Sequence, residues 1–278
     1  MAPELNISRI LRYLGIPRAS YYYFARNKNF KEIKDKSCLE LIGKVHRKRK
    51  GKLGIRQLKL QIARDYGVVI NHKKIARIKN QYGLKTTIRK KRTQRQIQGA
   101  EHKIFENKLN RNFQASKKHE KILTDITQFN FGKKNNKAYL VAFKDLSNKM
   151  ILSYKLSSSL SYEFVGSALS KLLDLVEEPK KLMIHSDQGG HFTCKAFINS
   201  LKEKGVEQSM SRRGNCHDNA PMESFFGLIK DHIDYKTCGN IYELQKQVDK
   251  AIYYYNYERP QIGLNKMPPA EYRRRIVS

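Results

Sequence analysis

The chain has 278 residues, 40% of them apolar, and a formal net charge of +31. That length suits two domains, or one domain with an appendage, and that charge asks for a polyanionic partner. No apolar run reaches the roughly 18 residues of a membrane span, and Met1–Asn6 lacks the charged-then-apolar start of a secretory signal, so a cytoplasmic protein without a membrane partner is expected.

The charge is unevenly placed. Residues 1–120 carry 32 Lys/Arg against 8 Asp/Glu, and residues 121–278 carry 24 against 17. The first part suits a phosphate backbone, while the second keeps its acids. A basic ribosomal-type protein is the plain alternative, but it would not usually continue into a long stretch of alternating strand and helix. The four cysteines, Cys38, Cys194, Cys216 and Cys238, form no C-x-x-C pair and have no histidine at zinc-finger spacing. They read as reduced thiols.

In chain order, Ile7, Ile10, Leu11 and Leu14 predict a short amphipathic helix that Gly15 stops. A second helix runs through Tyr21–Phe24, so residues 1–36 read as a helical segment with a helix-turn-helix outline. Lys28–Lys36 is charged without a period and reads as a linker. Leu39, Ile42 and Val45 then start a three-helix unit over 37–85. Ile55, Leu58, Ile62 and Ala63 mark its second helix, ending near Gly67. Asn71 caps the third, which contains Ile75, Ile78 and Tyr82. That third helix offers His72, Lys73, Lys74, Arg77 and Lys79 outward, like a DNA-reading helix. A solvated face on a structural bundle is the alternative, and the net charge favours DNA. Arg56, at the start of the second helix, joins the candidate contacts. Residues 86–115 read as a basic linker, with Arg89, Lys90, Lys91 and Arg92 as candidate phosphate contacts and Ile104, Phe105 and Leu109 as its few apolar anchors.

From residue 116 the texture changes. Ile122–Thr127, Ala138–Phe143 and Met150–Leu156 predict three strands joined by short turns. Val165, Leu169, Leu172 and Val176 predict a helix, Leu182–Ile184 a strand, Phe197 and Leu201 a helix, and Val206–Met210 a fifth strand. This order is that of an α/β, ribonuclease-H-like fold over 116–278, preceded by an all-α helix-turn-helix region.

Three acids in this part carry candidate chemistry. Asp125 continues the first strand, and Asp187 follows the fourth. If those strands are neighbours, both carboxylates project near one edge. Glu223 sits near the start of a helix that Asp218 or Asn219 can cap and that Pro221 suits. Converging carboxylates repel unless a cation lies between them, and hard divalent ions such as magnesium take such ligands. Two ions can activate a hydroxyl and stabilise a leaving oxygen. Singly, each acid reads more readily as a turn or surface residue. The combination is what gives them weight. Lys230 lies nearly two turns beyond Glu223 on the same helix face, and Arg212, Arg213 and His217 precede that helix.

The stretches Thr124–Thr127, His185–Gly189, Asn215–Asn219 leading into Glu223–Phe226, Tyr257–Pro260 and Met267–Tyr272, with 35 residues between Asp187 and Glu223, resemble the catalytic core of insertion-sequence transposases related to retroviral integrases. Within these the chain is most similar to the two-reading-frame family, in its downstream-frame product. Residues 40–85 resemble the helix-turn-helix that precedes the core there. The resemblance implies Asp125, Asp187 and Glu223 as metal ligands and catalytic acids. It implies two Mg2+ ions, replaceable by Mn2+, and Lys230 as a DNA contact. It also implies terminal inverted repeats and target DNA as partners, a homo-oligomer on DNA, and fusion to an upstream-frame segment. The function expected is DNA cleavage and strand transfer. A non-catalytic DNA-binding regulator and a ribonuclease-H-like nuclease are the alternatives. The chain departs from the family in having Leu123 where relatives often have Trp and His191 where many have Gln.

Overall fold

The computed structural model describes residues 7–87, 105–212 and 216–277. The chain divides into two compact units, Met1–Thr87 and Ile88–Ser278.

The first unit is all helical: α1 (Ile7–Tyr13), α2 (Arg18–Lys48), α3 (Ile55–Tyr66) and α4 (His72–Gln81). Ile42 and Val45 of α2, Leu58 and Ile62 of α3, and Ile75 and Ile78 of α4 form its buried core with Leu53 and Ile70. These positions recur at helical spacing, so each helix presents one apolar stripe inward. Gly67 ends α3 at φ 68°, a left-handed turn that favours glycine. The Asn71 side chain accepts from the Lys73 backbone N–H at 2.9 Å and caps α4. The pair α3–turn–α4 is thus a helix-turn-helix, with α2 packed against it.

One expectation fails here. Lys28–Lys36 is not a linker, because α2 runs unbroken through it for 31 residues. Lys, Glu and Arg are good helix formers. A missing apolar period does not by itself argue against helix. A division at 36/37 would therefore cut a single helix.

The second unit is built on a five-stranded sheet of order β3-β2-β1-β4-β5, from β1 (Lys121–Phe131), β2 (Asn136–Asp145), β3 (Ile151–Ser157), β4 (Met183–Ser186) and β5 (Glu207–Met210). The first three strands are an antiparallel meander, and β4 and β5 add in parallel on the other side of β1. This is the mixed sheet of the ribonuclease-H-like class. Alternation along the strands sends Ile122, Val141, Phe143 and Ile184 to one face, under α5 (Tyr162–Leu175) and α7 (Lys195–Glu203). It sends Leu123, Phe129 and Leu140 to the other, under α8 (Ala220–His232) and α9 (Ile241–Tyr253). A short α6 (Gly190–Thr193) precedes α7, and α10 (Pro269–Val277) closes the chain. Asn256 docks the closing segment. Its amide accepts from the Ile151 N–H at 3.0 Å and donates to the Ile151 carbonyl at 2.9 Å, so it serves as an extra strand partner for β3.

Residues 105–115 also differ from the expected linker. Leu109 is fully buried and Phe105 packs on the sheet core. The backbone N–H groups of Lys108 and Leu109 both donate to Ser209 Oγ, at 3.0 and 3.2 Å. The two apolar anchors, rather than the basic average of the stretch, decide its placement.

Candidate active site

The site is set by strand register. Leu123 of β1 pairs with His185 of the parallel β4. Continuing that register two residues puts Asp125 level with Asp187. Side chains alternate along a strand, so Asp125 shares the face of Leu123, and Asp187 that of Met183 and His185. Both carboxylates therefore lie on the face that α8 covers. Asp125 is not at a strand end, since β1 continues to Phe131. It stands where β4 ends and leaves β1 without a neighbour on that side, and that gap is what opens the site.

The pair carries an electrostatic signature. Burial, then the neighbouring Asp187 and Glu223, push the half-buried Asp125 carboxyl up to about 8, against the opposing pull of the Ile126 N–H and Lys230. Asp187 is also raised, by the protein atoms crowding it, although its side chain opens to solvent. The Gly189 N–H donates to Asp187 Oδ1 at 3.0 Å. Gly189 is needed for that approach, because a Cβ there would sit 2.9 Å from the same oxygen.

Below Asp187, His185 is buried between two hydroxyls, Ser209 Oγ at 2.9 Å and Ser211 Oγ at 3.1 Å. Burial pushes its imidazole down to about 4, so it is a neutral link between β4 and β5. Gln188 adds a bond to the Ser211 carbonyl at 3.0 Å.

Glu223 is exposed in the first turn of α8, and three ties hold that turn over the sheet. The Asn219 amide donates to the Thr124 carbonyl at 3.2 Å, beside Asp125. The buried Lys144 donates to the Pro221 carbonyl at 2.9 Å. Asp218, just before the helix, receives the Arg212 guanidinium at 2.9 and 3.0 Å and the Arg212 N–H at 3.1 Å. It also receives Arg111 Nε at 2.8 Å and the Asn107 amide at 2.9 Å. These partners hold the Asp218 carboxyl far below the usual range, Arg212 foremost. Neither Asp218 nor Asn219 caps α8 with its side chain as expected. Asn219 occupies the cap position but bonds to β1 instead. Lys230 lies with its ammonium 5.4 Å from the centre of the Phe129 ring, on the same sheet face, and close enough to act on Asp125.

The expected ligand set is only partly gathered. Among the described residues no three His, Cys, Asp or Glu side chains stand close enough together to hold a metal ion unaided. Asp125 and Asp187 form a pair, and Glu223 acts on Asp125 from the helix above. The donor chemistry nevertheless fits a hard divalent cation, because a carboxyl raised by burial and by a neighbouring carboxylate, as Asp125 is by Asp187, is what such an ion relieves.

The other candidates separate. His217 is exposed on the turn before α8. Arg212 is taken up by Asp218. Arg213, Arg89, Lys90, Lys91 and Arg92 lie outside the described residues. In the first unit Arg56, His72 and Lys73 are exposed. Lys74 and Arg77 instead pair with Asp35 of α2, at 3.1 and 2.6 Å. Lys79 is buried, not outward, and donates to Thr86 Oγ1 at 2.7 Å. Sequence reading missed Asp35, Lys144, Asn107, Arg111 and Ser209, whose roles arise from contacts between distant segments.

Known proteins are similar to this chain over most of its length. Residues 115–216 and 204–269 match two models described as Integrase core domain, and residues 32–92 match one described as HTH-like domain. InsK of insertion sequence element IS150 from Escherichia coli, described as a transposase, is 35% identical over 96% of this chain and 93% of its own length. The chain belongs to the insertion-sequence transposases with an integrase core. A transposase-like protein of Haemophilus influenzae is 39% identical over 74% of this chain and 94% of its own length. The solved catalytic core of HTLV-2 integrase in complex with magnesium matches at 18% identity and a TM-score of 0.43, covering 55% of this chain and 95% of that one. The transposase acts in transposition and DNA integration as a polynucleotidyl transferase with DNA as its partner. None of its described helices is long and apolar enough to cross a membrane.

Proposed function

We propose that the transposase binds the terminal inverted repeats of its element through α3 and α4, and cuts and joins strands at Asp125, Asp187 and Glu223. The level placement of Asp125 and Asp187 on the face under α8 carries this reading. Both aspartates would hold Mg2+, singly or as two ions, with Mn2+ able to substitute and Glu223 completing the set. The bound metal would supply Lewis-acid stabilisation of phosphate oxygens and a more acidic attacking hydroxyl.

The protein's own groups do the rest. Lys144, Asn219 and Asp218 hold the start of α8, so Glu223 approaches the aspartates from above. Gly189 lets its N–H fix one Asp187 oxygen and leaves the other for a ligand. Lys230, held over Phe129, is placed for a DNA phosphate beside the acids rather than among them. His217, with Arg213 four residues before it in sequence, is proposed to contact the DNA backbone. His72, Lys73 and Arg56 serve the terminal repeat. Two element ends joined in one reaction call for at least a dimer on DNA. Sedimentation with terminal DNA that finds one chain per end at every concentration would refute that part.

The reading is tested with purified protein and DNA carrying the element's end. Mg2+-dependent cleavage is expected from the wild type and not from Asp187→Asn, with end binding retained in both. Undiminished cleavage by Asp187→Asn would sink it. Gly189→Ala is a finer probe. Its Cβ must displace the Asp187 carboxylate, and small misplacements at a reacting centre have large effects. Cleavage should fall about tenfold or more while Tm hardly moves, because the atom displaced is the end of a side chain.

The chain's alternative roles are separable by the same assays. A non-catalytic regulator would bind the end and yield no metal-dependent product. A ribonuclease-H-like nuclease would cut RNA in a hybrid without regard to end sequence.

A further inference from the structure

The helix-turn-helix unit contains an unexpected acid. Asp35 stands on α2 opposite α4, and each of its carboxylate oxygens has a cation. Oδ1 takes Lys74 Nζ at 3.1 Å and Oδ2 takes Arg77 at 2.6 Å. The Asp35 side chain keeps only 17% of its exposure, against 29% for Lys74 and 47% for Arg77. The pairing with Arg77 holds the Asp35 carboxyl below its ordinary range. Of the cations on α4, Lys79 is buried, these two are neutralised, and Lys73 remains exposed with His72 at the helix start. The N-terminal residues of a recognition helix are the ones that usually meet base edges.

For a chain of charge +31, the hazard is indiscriminate binding. Non-specific affinity grows with the number of phosphates neutralised, whatever their sequence. Lys74 or Arg77 could reach a phosphate only by leaving Asp35, which would then face the phosphates as a bare carboxylate that repels them. That penalty falls on all DNA alike, and only the cognate end offsets it with base contacts.

We propose that Asp35 is a specificity-determining residue, withholding Lys74 and Arg77 from the phosphate backbone and so lowering the non-specific DNA affinity of the helix-turn-helix unit. The proposal rests on the reading that this unit binds the element's end.

The test uses the full chain, a mixed-sequence duplex of about 30 base pairs and a duplex carrying the element's end, each titrated across a salt series. Asp35→Asn is expected to tighten mixed-sequence binding about tenfold and to steepen the log–log salt slope by up to about two, one counter-ion per released cation. End preference falls accordingly. Asp35→Glu, which keeps the charge, should stay near wild type. Asp65→Asn makes the same change of charge on α3, where Asp65 pairs with Lys48 of α2 at 3.6 Å rather than with an α4 cation, and should steepen the slope by about one at most. The double variant Lys74→Gln/Arg77→Gln should leave the wild-type slope nearly unchanged and remove the gain in the Asp35→Asn background.

An Asp35→Asn protein with native circular dichroism but unaltered slope and affinity would overturn the inference. So would a wild-type slope flattened by about two in the double variant, because both cations would then already be on phosphate. A wild type that binds both duplexes equally, and loses nothing when His72 and Lys73 are replaced, would bring down the underlying reading with it. Loss of end preference confined to Asp35→Asn would leave that reading standing and support the inference.

Discussion

Asp125→Asn is expected to remove strand cleavage, by a factor of about a thousand or more, and at the same time to make the metal-free transposase more stable. The two outcomes have one cause. Asp125 is held beside Asp187 and under Glu223, and its carboxyl is pushed up to about 8 from an ordinary 3.8. A carboxyl with a raised folded pKa binds more protons in the folded than in the unfolded state. Stability is therefore unaffected below the ordinary carboxylate range and falls as pH rises towards the raised value. A tenfold change in proton affinity between the two states is worth about 1.4 kcal/mol. Shared titration with Asp187 and partial exposure reduce the effect, so a gain of about 1–2 kcal/mol for the asparagine variant at neutral pH is reasonable. Asparagine keeps the oxygen that accepts from the Ile126 N–H at 2.7 Å, so no backbone bond is lost. Denaturant melts without divalent metal, at pH 5 and pH 8, measure this. The gap between variant and wild type should widen at the higher pH. A wild type as stable as the variant at both would mean that the pair is not strained and has no charge for a cation to relieve. Added Mg2+ should raise the wild-type Tm more than the variant's, because the ion binds the folded pair that the variant lacks.

How far these features could be read in the sequence depends on the distance over which each is determined. The strands of the second unit were legible because each apolar run is local. The neighbouring placement of Asp125 and Asp187 followed from topology as a conditional, and the parallel β1–β4 pairing supplies the condition. Gly67 and Asn71 were legible as helix punctuation for the same reason. What could not be read were contacts across long separations. Asp35 meets Arg77 across 42 residues, and Arg111 meets Asp218 across 107. Nothing near Lys74 marks it as already paired, and Lys79 looked outward only because charge was taken for exposure. The helix α9 had a local signal that went unused. Asn240 accepts from the Glu243 N–H at 2.9 Å, and Glu243 reaches back to the Gly239 N–H at 2.7 Å. This reciprocal cap precedes apolar residues Leu244, Val248 and Ala251 at helical spacing.

The second large effect is expected at Asp218, which touches no proposed metal. Its carboxylate is almost without solvent exposure because its own partners roof it, while the Arg111 and Arg212 side chains remain about half exposed. It is therefore sealed at the surface rather than sunk in the core, and the pair energies are those of charge-assisted bonds, not of a deep ion pair. Asp218→Ala strands two guanidinium groups and the Asn107 amide, and should cost about 3 kcal/mol. The carboxyl is depressed in the folded state, so its contribution is present above the ordinary carboxylate range. It is lost as pH falls towards the depressed value. The stability difference between wild type and variant should thus shrink in acid. The functional consequence follows from position. Asp218 joins the 105–111 segment to the turn that begins α8, five residues before Glu223. With that join gone, Glu223 is no longer held over the aspartates by this route, and only the Asn219 and Lys144 ties remain. Cleavage should fall about a hundredfold under conditions where the variant is still fully folded, while binding of the element's end, carried by the other unit, is retained. Asp218→Asn, which can accept some of the same bonds, should recover part of the stability and part of the rate. Equal rates for folded Asp218→Ala and wild type would show that the hub serves stability alone and that α8 holds Glu223 without it.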